Sequence, residues 1–295
     1  MENFLLKWIV EPQHHGQLLR DYLKEKQVSK RALTDIKFAG GKLTVDGDEV
    51  TVRHILQAGS NLTVEFPAEE RSGGIQPENT PLEILYEDDH CLVIHKKAGM
   101  PSIPSREHPA GTVANNLLGY YDSKNIPGTI HIVTRLDKDT SGVMLIAKHR
   151  HAHSLFSLQQ KQHQIRRTYE AVVHGRLLRE QGTIDAPIGR SENSIIEREV
   201  REDGQQAITH FKVLQREEDK TKVSLSLETG RTHQIRVHMA YLGHPLCGDT
   251  LYGGDRQHIE RQALHSRTLT FWHPILGKQL AIDAPLPADM KKLLL

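Results

Sequence analysis

The sequence predicts an α+β protein: a mixed, largely antiparallel sheet with flanking helices, preceded by a small N-terminal α/β module. Three observations carry that expectation. Strand-like runs outnumber helical patterns after residue 82. They do not alternate regularly with helices, which argues against a doubly wound parallel sheet. A stretch rich in Pro, Gly and charge at 67–81 reads as a linker, setting a module at 14–66 apart from a domain at 82–295.

In chain order, MENFLLKWIV reads as a first strand and not a signal peptide: it begins with an acid and lacks a small-residue cleavage site. GQLLRDYLKEK carries Leu18, Leu19, Tyr22 and Leu23 at helical spacing. Ser29 fits an N-cap for a second helix with Leu33 and Ile36 facing inward. GGKLTVDGDEVTV alternates around Asp46-Gly47, a hairpin signal, and NLTVEF is a further strand. Beyond the linker, strands are expected at LEILYED, CLVIHKK, IHIVTRLD, VMLIAKH, IRRTYEAVVHG, ITHFKVLQR, KVSLSLETG, LTFWHP and KQLAIDAP. Helices are expected at TVANNLLGYY, RHAHSLFSLQQKQH, RTHQIRVHMAYLG (opened by Gly230) and DMKKLLL.

The composition, 37% hydrophobic and 25% charged, is that of a soluble globular chain. No apolar run is long enough to span a bilayer, so no membrane role is expected. Cys91 and Cys247 cannot staple a framework and form no CxxC pair, which fits a reducing cytoplasm. The net charge of +1 does not by itself imply a nucleic-acid partner; its distribution says more. Arg20 to Lys42 holds seven basic and three acidic residues, a net of +4, and Lys148 to Arg179 holds seven and one, a net of +6. Such patches suit local phosphate binding, although solvated helix faces look the same.

Three segments carry candidate chemistry. RLDKDTSG, Arg135 to Gly142, places a turn between two strands, where Asp137 is either a carboxylate held at a sheet edge or an ordinary turn cap. The hydroxyls of Thr140 and Ser141 are candidates to orient it. TGRTHQIRVHMAYLGHPLCGD crowds Arg231, His233, Gln234, Arg236 and His238 into two helical turns with no acid beside them. Their partners must be tertiary or ligands, unless this is a surface helix. RRTYEAVVHG sets Tyr169 behind Arg166 and Arg167, suited to stacking on a base with phosphate contacts alongside, or to core packing.

Taken together, these segments resemble the RluA-type pseudouridine synthases over residues 82–285, with CLVIHKKAGMPSIPS and GTVANNLL as further matches. The resemblance implies a fold, an activity and a set of roles. The activity is isomerisation of uridine in structured RNA, ribosomal or transfer RNA, without metal or other cofactor. Asp137 matches the catalytic aspartate, Arg135 the arginine that enters the helix where the base is flipped out, and Tyr169 the tyrosine that stacks on the target. Arg236 matches the arginine that pairs with the aspartate; Ile235 beside it is a candidate pocket wall. Two positions depart from the family pattern: Thr134 replaces a histidine, and Lys97 replaces a proline. They bear on the support of the active loop and on the choice of RNA. Residues 14–66 resemble the small RNA-binding module shared by a small-subunit ribosomal protein and some tRNA synthetases. Lys30, Arg31, Lys37 and Lys42 there, with Arg166, Arg167 and Arg231 in the larger domain, are the expected RNA contacts. A cytoplasmic monomer is expected.

Isomerisation breaks the glycosidic bond, turns the uracil and rejoins it through carbon. One carboxylate suffices, by attack on the sugar, by acting as a base, or by adding to the ring. A noncatalytic RNA-binding protein on the same fold is the alternative, but it would be expected to have lost Asp137, Tyr169 or Arg236. A metal hydrolase is suggested by nineteen histidines, yet His149, His151 and His153 lack a ligating partner pattern and read as solvated or RNA-facing. A glycosidase would need two cooperating carboxylates.

Overall fold

The computed structural model describes residues 4–71, 73–192, 194 and 196–293. The N-terminal unit comprises β1 (Leu5–Ile9), α1 (Leu19–Glu25), α2 (Lys30–Phe38), the hairpin β2 (Lys42–Val45) and β3 (Asp48–Glu49), and β4 (Asn61–Glu65). Its strands run β1-β4-β2-β3, all antiparallel. β1 lies ahead of residue 14, where the sequence reading starts the module, yet it pairs with β4 and belongs to this small sheet. Ser29 caps α2, its hydroxyl accepting from the Ala32 amide at 3.1 Å. Asp46 and Gly47 both take positive φ, 51° and 96°, the backbone that Asp-Gly supplies to a two-residue hairpin. Leu19, Tyr22, Leu23, Ile36, Leu62 and Val64 form its separate core.

The larger unit contains β5 (Glu83–Glu87), β6 (Cys91–Lys96), α3 (Val113–Ser123), β7 (His131–Ile132), β8 (Ser141–Ala147), α4 (Arg150–Lys161) and β9 (Arg166–His174). Then come β10 (Gln181–Asp185), β11 (Ile188–Arg190), β12 (Arg198–Val200), β13 (Ile208–Arg216), β14 (Lys220–Leu227), α5 (Gln234–Tyr241), β15 (Leu264–His273), β16 (Lys278–Asp283) and α6 (Ala288–Lys292). The sheet runs β10-β13-β14-β9-β15-β8-β6-β5, with β16 on β15 and β7 on β8. Its pairings are antiparallel except β15 beside β8, where His265 faces Ser141 and Ser266 faces Gly142. β8 is buried on both faces. Met144 and Ile146 meet Val113, Leu117 and Tyr121 of α3 on one side; Val143 and Leu145 meet Ala152 and Phe156 of α4 on the other. Among the described residues, no helix is long and apolar enough to cross a membrane.

Two elements are shorter than the sequence suggests. The strand expected at IHIVTRLD stops at Ile132, because the Val133 and Thr134 amides both donate to the Leu145 carbonyl while the Thr134 hydroxyl accepts from the Leu145 amide. The ladder ends there, and Arg135–Asp137 leave the sheet as a loop. The helix expected from Gly230 starts at Gln234, since His233 takes a left-handed backbone, φ 57°. Strands β10, β11 and β12 are additions. Leu294 and Leu295, at the end of the expected terminal helix, lie outside the described residues.

Segment 67–81 holds no helix or strand among its described residues, but it is anchored. Glu69 bonds His131 at 2.6 Å and accepts from the Arg150 amide at 2.7 Å, and Arg71 pairs with Asp122. Asp35 pairs with Arg150 at 2.5 Å. Phe4 stacks on His149 with ring centroids 3.5 Å apart, and Phe66 packs against His151. His149 and His151 are therefore buried in the seam between the units, not solvated or facing RNA. Burial lowers His149 far below its ordinary value and takes His151, and His265 in the large sheet, down to about 4.

A stability prediction follows from these three. The unfolded chain titrates its histidines near pH 6.5, so below that pH it binds protons that the folded state refuses. Stability should be intact above pH 6.5 and fall between 6.5 and about 4, by up to about 1.4 kcal/mol per pH unit for each group. Melting curves across this range test it. His151→Leu should flatten the slope, and an unchanged melting temperature down to pH 4.5 would contradict the burial.

Candidate active site

Asp137 sits on the loop ahead of β8, and that loop is held through its backbone. The Ser102 hydroxyl donates to the Leu136 carbonyl at 2.7 Å and accepts from the Leu136 amide at 3.2 Å. Lys96, 1% exposed, donates to the carbonyls of Lys97, Met100 and Lys138 at 3.0, 2.8 and 2.7 Å. Three donations need an ammonium. Burial lowers its pKa to about 7, against the pull of Asp139 and Asp137. The Thr140 and Ser141 hydroxyls, expected to orient the carboxylate, are engaged elsewhere: Thr140 accepts from Gln262, and Ser141 bonds His265. Thr134, which departs from the family pattern, is buried and spends its hydroxyl on the Leu145 amide. Lys97, the other departure, is exposed.

The opposite wall is the 229–241 segment. The buried Gln234 amide fastens it to β13. Its oxygen accepts from the Thr229 hydroxyl and the Arg231 amide at 2.8 and 2.9 Å; its nitrogen donates to Ile208 and Thr209 at 2.9 and 3.0 Å. Arg236, 7% exposed, sets Nη1 3.6 Å from Asp137 Oδ2. Its fork, however, belongs to Asp249, with Nε and Nη2 each donating at 2.7 Å. The guanidinium also lies over the Tyr252 ring, 4.9 Å from its centroid. Burial would lower the pKa of Arg236, but Asp249 and Asp137 hold it above the ordinary value. Thus the expected pairing of Arg236 with Asp137 exists as a looser contact on a cation anchored by a second acid.

Arg135, Asp137, Arg167, Tyr169, Arg231, Ile235 and Arg236 all line one open cleft. Tyr169, on β9, is 5% exposed with its ring beneath Arg167, 6.0 Å away. Arg166 lines the neighbouring groove. Lys30, Arg31, Lys37 and Lys42 are exposed on the N-terminal unit, outside this cleft. Lys96, Ser102, Asp249 and Tyr252 carry no role legible in the sequence, and His233 is visible there only as one of five crowded polar residues. A Gly-Asp pair at 248–249 was visible, but nothing local says that its acid reaches Arg236 thirteen residues back.

One candidate metal cluster exists among the described residues, Asp88, Cys91 and His273, away from the cleft. It does not suit a cation. Nδ1 of His273 accepts from the Leu276 amide, so the proton sits on Nε2, 3.1 Å from Asp88. Asp88 already accepts from Tyr86 and from the amides of His90 and Cys91.

Residues 90–241 match the RNA pseudouridylate synthase family. The chain belongs to that family. An uncharacterized RNA pseudouridine synthase of Bacillus subtilis, YjbO, is 56% identical over 94% of this chain and 98% of its own length. The ribosomal large subunit pseudouridine synthase D of Xanthomonas campestris is 39% identical over 86% of this chain and 80% of its own. Among solved structures, human RNA pseudouridylate synthase domain containing 1 superposes with a TM-score of 0.59 at 25% identity, covering 72% of this chain and 86% of that one. The synthase is therefore an isomerase acting on RNA. Its reaction conserves every atom of the nucleoside while a carbon–nitrogen bond to the sugar is exchanged for a carbon–carbon bond.

Proposed function

We propose that this synthase modifies uridine in ribosomal RNA, with Asp137 as its catalytic residue. The observation that carries the reading is the meeting of Asp137, Arg236 and Tyr169 in one cleft from three distant stretches of chain. Arg236 sets a cation 3.6 Å from the carboxylate that every route to isomerisation uses. The Tyr169 ring offers a face on which detached uracil can rest. A base in a helix cannot reach Asp137 without leaving its stack, and Arg135, which lines the cleft and the pocket beside it, would fill the gap. Ribosomal RNA is favoured over transfer RNA by the relatives named as large-subunit enzymes.

The cleft continues at Gly230 into a groove lined by His163, Ile165, Arg166, Arg167, Ile208 and Leu227. This combination of cations and apolar side chains suits the strand flanking the flipped nucleotide. Lys30, Arg31, Lys37 and Lys42 on the N-terminal unit supply a second RNA contact, which residues 67–81 connect to the catalytic domain. The protein works as a cytoplasmic monomer.

The substrate is tested by mapping pseudouridine in total RNA from cells with and without the protein. One or a few ribosomal sites should vanish; loss at transfer RNA sites alone would move the substrate. The groove is tested by Arg166→Ala, which should lower the log–log dependence of affinity on salt by roughly 0.7 to 0.9. An unchanged slope would take Arg166 off the RNA path.

A further inference from the structure

We propose that His233 is a positioning residue for Asp137, held by Tyr252 in the one neutral tautomer whose Nε2–H faces the carboxylate. The inference rests on Asp137 being the catalytic carboxylate.

The Tyr252 hydroxyl oxygen accepts from the Arg198 amide at 3.0 Å and lies 2.7 Å from His233 Nδ1. Among the described residues the tyrosine's own hydrogen has no other acceptor, so the assignment that satisfies it donates it to Nδ1. An Nδ1 that accepts carries no proton, and in a neutral imidazole the proton then sits on Nε2. That nitrogen is 3.9 Å from Asp137 Oδ2, close enough to steer the carboxylate and loose enough to leave it available to substrate. A chain of hydrogen-bond donation, Arg198 amide to Tyr252 to His233, thus turns Nε2–H toward Asp137.

The backbone points the same way. His233 is a non-glycine residue at φ 57°, ψ 17°, immediately ahead of α5, and its side chain makes no capping bond to that helix. A left-handed backbone is unfavourable for histidine. Here it directs the ring into the cleft, where it packs edge-on against Tyr252.

Charged groups face His233 from several elements. Asp137 faces it from the loop ahead of β8, Arg236 from α5, Asp249 from the segment after α5, and Arg198 from β12. Arg231 lines the same cleft. Burial, with Arg236, lowers the pKa of His233, and Asp137 opposes this. Protonating Nδ1 would also oblige the Tyr252 hydrogen to lose its acceptor. An imidazolium here would instead bind Asp137 tightly and withhold it from substrate.

The test is single-turnover rate against pH on one short RNA, with affinity and melting curves, for wild type, Asp137→Asn, His233→Leu, His233→Gln and Tyr252→Phe. His233→Leu should lose about 100-fold in rate, the scale of a misplaced catalytic group. Affinity should hold. His233→Gln should recover most of the rate, because its amide nitrogen stands where Nε2 stood. Tyr252→Phe keeps the ring under Arg236 but removes the donor that favours an unprotonated Nδ1, so the acid limb of its rate profile should lie at higher pH than that of wild type. Wild-type rates for His233→Leu, with Asp137→Asn inactive, would overturn the inference and leave the catalytic reading standing. An active Asp137→Asn would overturn that reading itself. If His233→Leu does not fold, the Tyr252→Phe profile decides: superposition on wild type overturns the proposal.

Discussion

Asp137→Asn is expected to reduce the single-turnover rate on the order of 1000-fold or more while leaving RNA affinity and melting temperature close to wild type. Asparagine keeps the shape but removes the negative charge that attack, proton abstraction and ring addition all require. The structure explains why the change should stay local. Arg236 keeps its fork on Asp249, so removing charge from Asp137 does not strand a buried cation. The loop is held by Ser102 and Lys96 through backbone atoms, and no hydrogen bond of that support runs through the Asp137 side chain. Rate, affinity and melting should be measured on one RNA. Turnover by the variant within tenfold of wild type would remove Asp137 from the chemistry.

Gly142→Ala is expected to cost roughly 3 kcal/mol or more in stability, and the misplaced loop should lower the rate of whatever protein folds. Gly142 has φ +120°, a backbone that side chains disfavour, and a β-carbon there would lie 2.1 Å from the Ser266 carbonyl oxygen. Ser266 and Gly142 form part of the parallel contact between β15 and β8, five residues after Asp137. Neither partner can yield: β8 is buried throughout, and Ser266 is 0% exposed. Gly243→Ala is the control. It shares a positive φ, +79°, but has nothing within 4 Å, so it carries the backbone cost alone. Denaturant titrations should separate the two clearly. Equal, small losses would mean that the β8–β15 junction relaxes around a methyl group.

The elements were legible where a local signal is sufficient. Ser29 caps a helix because its hydroxyl reaches an amide three residues on, and Asp46-Gly47 turns because those two residues tolerate positive φ. The apolar run at β8 reads as a strand wherever it lies in the fold. Asp137, Tyr169 and Arg236 were legible in a different way, through motifs whose resemblance to a family assigned them roles, and the structure brings the three side chains to one cleft. What tertiary structure alone decided is what each of these groups leans on. Thr134 ends a strand because Leu145 is there to bond it; His233 breaks the start of a helix and faces Tyr252; and Asp249 claims Arg236 across thirteen residues. The seam that buries His149 and His151 against Phe4 and Phe66 joins two units far apart in sequence. Hydrogen-bond direction, tautomer and burial depend on which atom lies within about 3 Å, and spacing along the chain does not encode that distance.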